Sequence, residues 1–118
     1  MPRFLMMVRV DENNAPAGGP SDELMRRMGE LIEEMSKADV LVDTAGLLPT
    51  AQGVRVRQSD GRITVTDGPF TEAKEVVGGY AIIQAGDRDE AVAWARRFVE
   101  IHEAEWEITS EVREIVQG

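Results

Sequence analysis

Two stretches of this chain are apolar on both faces of the strand each would form, yet the sequence offers only two helices to cover them. Phe4-Leu5-Met6-Met7-Val8 contains no polar residue, and Val76-Val77-Gly78-Gly79-Tyr80-Ala81-Ile82-Ile83 is nearly as apolar. A strand with one wet face alternates instead. In the first stretch Phe4, Met6, Val8 and Val10 make one face and Leu5 and Met7 the other. Both strands therefore belong inside a sheet. Two helices shield one face of that sheet, so the other needs a partner, and a second copy of the same chain is the simplest one. A homodimer is expected on this ground alone.

The helices are legible from their caps and spacing. Ser21 offers a hydroxyl N-cap, with Asp22 and Glu23 in the first turn where the helix dipole favours negative charge. Leu24, Met25, Met28, Leu31, Ile32 and Met35 then form an apolar stripe opposite Arg26, Arg27, Glu30, Glu33, Glu34 and Lys37. The second helix starts at Asp87, with Glu90 completing a capping-box pattern, and turns Ala91, Ala95 and Phe98 inward beside Val92, Trp94 and Val99.

The remaining elements are strands. Residues 40–48 read as a short irregular strand ended by Pro49, and residues 111–116 as a last, edge strand. Residues 54–57 and 62–66 alternate around Asp60-Gly61, a hairpin signal because those residues accept positive φ. Val54, Val56, Ile63 and Val65 are expected to face a core, with Arg55, Arg57 and Arg62 on the other side. The order predicts an α+β fold, an antiparallel split βαβ sheet with two helices on one face.

Asp67-Gly68-Pro69-Phe70-Thr71-Glu72-Ala73-Lys74-Glu75 lies between two strands and holds more chemistry than a reversal needs, since Gly-Pro with any polar neighbours would turn the chain. Together with Gly78-Gly79-Tyr80, this stretch resembles the YCII-related family, in the branch named for its Asp-Gly-Pro-Phe motif. The likeness extends from the strand of Phe4 to Val10 through Trp94 and Phe98 to Glu111-Val112-Arg113, and His102 with Trp106 resembles a variant of the branch. It implies a small ferredoxin-like α+β domain that pairs into dimers. Another branch of the family is associated with a His in the first helix paired with an Asp. Residues 21–39 contain no His here, so that dyad does not carry over.

The chain of 118 residues suits one domain over 1–118. Its net charge of −9, from 22 acidic and 13 basic residues, would repel a phosphate backbone, so neither nucleic acid nor an anionic membrane is an expected partner. With no cysteine, thiolate metal sites and thiol catalysis are excluded, and a reducing cytoplasm is the expected compartment. Met1-Pro2-Arg3-Phe4 reads as the start of a strand and not as a signal peptide. One His and scattered carboxylates offer no metal site, and Gly78-Gly79 lacks the strand-loop-helix setting of a phosphate loop, so no cofactor is expected.

His102 and Asp67 are the candidate catalytic residues. His102 follows Phe98 by four and Ala95 by seven, on the inward stripe of the second helix. It is either a general acid or base lining a pocket or a packed imidazole bonded to a terminal carbonyl. Asp67 either accepts N–H bonds from its own turn or faces a pocket. Phe70, Glu72, Lys74 and Tyr80 are the candidate ligand-binding residues, against plainer roles: Phe70 anchoring the loop in the core, Glu72, Lys74 and Glu75 neutralising one another, Tyr80 capping the sheet edge. Gly78 and Gly79 point to a cavity or a tight dimer contact.

Three functions fit. The first is a dimer binding a small molecule in a pocket between the sheet and the 67–75 loop. The second is a cofactor-independent enzyme performing an elimination or isomerisation through His102 or Asp67. The third is a structural or interaction dimer with the loop as a clasp. Convergence of His102, Asp67 and Tyr80 on one cavity separates the first two from the third.

Overall fold

The computed structural model describes residues 1–117. Four strands form an antiparallel sheet: β1 (Arg3–Val10), β2 (Leu41–Gly46), β5 (Val76–Gln84) and β6 (Ile108–Glu114), in the order β2-β5-β1-β6. Helix α1 (Asp22–Lys37) joins β1 to β2 and helix α2 (Arg88–Glu100) joins β5 to β6. Each helix thus connects two strands that have a third between them. The two strands apolar on both faces, β1 and β5, are the two central ones, as their composition requires.

The register shows which face the helices cover. Phe4 stands opposite Ile83 and Met6 opposite Ala81, and this face joins Leu31 and Met35 of α1 and Ala91 and Ala95 of α2 in one buried cluster. Leu5, Met7, Tyr80 and Ile82 alternate onto the opposite face, where no helix lies and where they remain half-buried. The caps form as expected: Ser21 Oγ accepts from Leu24 N at 3.0 Å, and Asp87 Oδ1 from Glu90 N at 2.9 Å. Glu90 reaches back one residue further than a capping box, accepting from Gly86 N at 2.7 Å.

Three expectations need correction. Strands β3 (Val54–Ser59) and β4 (Arg62–Asp67) do form the hairpin, with Asp60 at φ 52 and Gly61 at φ 74 in its turn, but they make a separate two-stranded sheet. Val54, Val56, Ile63 and Val65 are 54–69% exposed. Alternation marks them as one apolar face without placing anything against it. The last strand begins three residues earlier than its alternation suggested, because Ile108 pairs with Val10. Finally, His102 lies past the C-cap Ile101 of α2 and not within the helix.

Candidate functional site

The core cluster fills one end of the helix-covered face. At the other end the sheet carries small residues: Gly46 pairs with Gly79, and a Cβ on Gly79 would meet the Ala45 carbonyl oxygen at 3.0 Å. Here α1 stands off the sheet and encloses a cavity of about 760 Å³. Its walls are Met6, Val8 and Val10 of β1, Leu24, Met28 and Leu31 of α1, and Leu47 and Leu48 of the segment leaving β2, closed by Phe98, His102 and Trp106. Met25, Leu47 and Leu48 are 50–75% exposed and mark its mouth. The two glycines of β5 line this cavity, which accounts for side chains missing from a central strand.

His102 is held by three contacts to two residues, Phe98 and Trp106. Its Nδ1 lies 2.9 Å from the Phe98 carbonyl oxygen. Its ring meets Phe98 and Trp106 edge-on at centroid distances of 5.0 and 5.8 Å. A carbonyl only accepts, so Nδ1 carries the proton and, in the neutral ring, Nε2 is left as an acceptor. Tyr80 borders the cavity from β5, but its side chain lies on the opposite sheet face, where its hydroxyl donates to Asp43 Oδ2 at 3.1 Å on the edge strand β2. That bond holds the Tyr80 hydroxyl above its ordinary pKa of 10.

The 67–75 loop builds something different. Gly68 N donates to the Gly53 carbonyl at 2.9 Å, Phe70 N donates to Thr50 Oγ1 at 3.2 Å, and Thr50 N donates to Glu12 Oε2 at 2.9 Å. The Thr50 hydroxyl donates to the other Glu12 oxygen. Thr50 is thus the knot that ties the loop, the hairpin base and the segment after β1 together. Phe70 is half-buried beneath the Arg55 guanidinium, 3.8 Å from ring centroid to Cζ, and is not part of the buried core. Glu72 pairs with Arg55 at 2.6 Å, and its carboxyl is held below the ordinary range by its own backbone N–H and then by Arg55. Glu75 approaches Arg9 at 4.0 Å, and Lys74 makes no ion pair among the described residues. The three charges therefore do not neutralise one another.

Asp67 is exposed at the end of β4, and its carboxylate takes no hydrogen bond among the described residues. It lines neither cavity. Glu72 and Lys74 line a second one of about 630 Å³, whose other walls include Asp11, Glu75, Glu107 and Ile108. His102 therefore lines the apolar cavity while the Tyr80 side chain lies on the opposite sheet face, Glu72 and Lys74 share the polar cavity, and Asp67 and Phe70 belong to the hairpin base. Among the described residues no group of three or more His, Cys, Asp or Glu is placed to hold a metal, and no helix is long and apolar enough to cross a membrane.

Sequence reasoning missed Thr50 and Glu12. Glu12 sits in a loop of turn formers, and a lone Thr after Pro49 carries no local signal; both matter only through contacts with residues 20 to 38 positions away.

An uncharacterised protein of Rhizobium meliloti (strain 1021) is 35% identical over 75 residues, 64% of this chain. The chain spans 60% of that relative's length. Residues 3–115 match the YCII-related domain, nearly the full chain. The protein belongs to the YCII-related domain family.

Proposed function

We propose that this protein is a dimeric binding protein for a largely apolar small molecule, held in the cavity between α1 and the sheet. The cavity carries the reading. Folded interiors close to the density of organic crystals, and a gap of about 760 Å³ in so small a domain is of the size that ligands occupy. Its walls are thioethers and aliphatic groups, which adapt to an apolar guest. The pocket differs from the one expected beside the 67–75 loop, which is smaller and lined by carboxylates.

The Asp67-Gly68-Pro69-Phe70 stretch supports the branch named for that motif, and the order β2-β5-β1-β6 with helices between β1 and β2 and between β5 and β6 supports a ferredoxin-like fold. The motif loop serves as the clasp of the hairpin base through Thr50. Two uncovered apolar surfaces support the dimer: Leu5, Met7 and Ile82 on the open sheet face, and Val54, Val56, Ile63 and Val65 on the hairpin. An isolated two-stranded hairpin is marginal in water, so a second copy that covers it stabilises both. The absence of cysteine suits a cytoplasmic protein. Proton transfer by His102 is the second reading, favoured by the unpaired Nε2 at the cavity wall.

A thermal-shift screen against uncharged apolar compounds tests the binding reading, since a ligand of the native state raises Tm by mass action. Gly46 lines the cavity and a Cβ there meets nothing within 4 Å, so Gly46→Leu is the variant that adds a side chain to the β2 wall of the cavity. Shifts in the parent that vanish in this variant support the reading. An unresponsive parent, or shifts unaffected by the filling, would overturn it.

A further inference from the structure

The polar side chains around the apolar cavity are few enough to be accounted for one by one. Both Glu12 oxygens are taken by Thr50, one by its amide and one by its hydroxyl. The Thr44 hydroxyl donates to the Tyr80 carbonyl at 2.9 Å, and the Tyr80 hydroxyl donates to Asp43 at 3.1 Å. His102 donates through Nδ1 to Phe98. Two ring nitrogens are left without a partner among the described residues: His102 Nε2, which accepts in the neutral ring, and Trp106 Nε1–H, which donates. Their rings are in edge contact at a centroid distance of 5.8 Å, and both residues line the cavity.

We infer that the ligand is an apolar molecule carrying a hydroxyl group, an alcohol or phenol, whose O–H donates to His102 Nε2 and whose oxygen accepts from Trp106 Nε1–H. This rests on the binding reading above and narrows its ligand class. A hydroxyl both donates and accepts, which matches this pair of nitrogens. An ionised carboxylate only accepts and would leave Nε2 of the neutral imidazole unpaired. It would also enter a chain of net charge −9 beside the Glu12 carboxylate. An ether satisfies Trp106 alone, and a hydrocarbon satisfies neither.

Titration calorimetry with 4-butylphenol, 4-butylanisole and butylbenzene separates these cases, using the full chain and its His102→Phe variant, which keeps a ring between Phe98 and Trp106. One buried hydrogen bond corresponds to about a tenfold difference in affinity. The phenol is expected to bind the parent about tenfold more tightly than the anisole, and the two are expected to converge within about twofold in His102→Phe. Equal binding of all three compounds by the parent would overturn the hydroxyl inference and leave the binding reading standing. A phenol advantage that persists in His102→Phe would overturn the role of Nε2. Failure of all three to bind the parent would overturn the inference together with the binding reading for guests of this size.

Discussion

The Nδ1 of His102 and the carbonyl oxygen of Phe98 are 2.9 Å apart, so a side chain two residues beyond helix α2 closes the helix's last turn. A helix end leaves carbonyls without intrahelical partners, and the imidazole satisfies one of them. His102→Phe retains the packing against Phe98 and Trp106 and is expected to cost about 1 kcal/mol, the worth of the hydrogen bond. His102→Ala also opens space between two aromatic rings and is expected to cost about 2–3 kcal/mol. Urea unfolding of the two variants measures the difference.

Glu34 of α1 receives two hydrogen bonds from Arg97 of α2, at 2.9 and 2.5 Å, across the outer surface of the helix layer. The Arg97 hydrogen bond holds the Glu34 carboxyl below its ordinary value of 4.5. A depressed carboxyl stabilises the fold above its unfolded pKa and ceases to do so as pH falls through the folded one. The urea midpoint of the parent is therefore expected to fall more steeply between about pH 5 and pH 3 than that of Arg97→Gln. Both groups are about half exposed, so the difference is expected to be small and to shrink in high salt.

A Cβ on Gly68 would stand 1.6 Å from the Thr50 carbonyl oxygen, a backbone atom that cannot turn aside. Gly68→Ala is expected to break the clasp, at a cost of about 3 kcal/mol or more. Hydrogen exchange should show the Gly68, Phe70 and Thr50 amides losing protection while those of β1 and β5 keep theirs.

Asp39 follows α1 with φ 58, in the left-handed region, where the helix ends through Val40 N donating to the Met35 carbonyl at 2.9 Å. Glycine meets no steric penalty there. Asp39→Gly is expected to raise stability by roughly 0.5–1 kcal/mol, seen as a higher urea midpoint at unchanged slope.

Val56 and Val65 stand opposite each other on the hairpin, 69% and 66% exposed. Replacing both by Thr leaves strand propensity intact and removes only apolar surface. In sedimentation the double variant is expected to run as a monomer at concentrations where the parent is a dimer, with the far-UV CD unchanged. A parent that sediments as a monomer at every concentration would sink the dimer proposal.

Local signals carried through to the structure. Ser21 and Asp87 cap the two helices because a short polar side chain binds the first free amides wherever the rest of the protein lies. Asp60-Gly61 turns the hairpin because both residues accept positive φ. The unbroken apolar runs of β1 and β5 placed them in the middle of the sheet. The site was less legible. His102 does line a cavity, but Asp67, a candidate by its place in the motif, lines none.

What the sequence determined by itself was every element whose cause lies within a few residues: caps, turns, the helical stripe and the two strands with no wet face. Tertiary structure decided what each apolar face meets. Period-two alternation identifies Val54, Val56, Ile63 and Val65 as one surface, but a pattern along the chain holds no information about whether a core lies beneath it. The same limit applies to the cavity, which exists because Gly46 and Gly79, 33 positions apart, pair where α1 passes over. Thr50 joins Glu12 and Phe70 for the same reason: side chains distant in sequence become neighbours only once the sheet has brought them together.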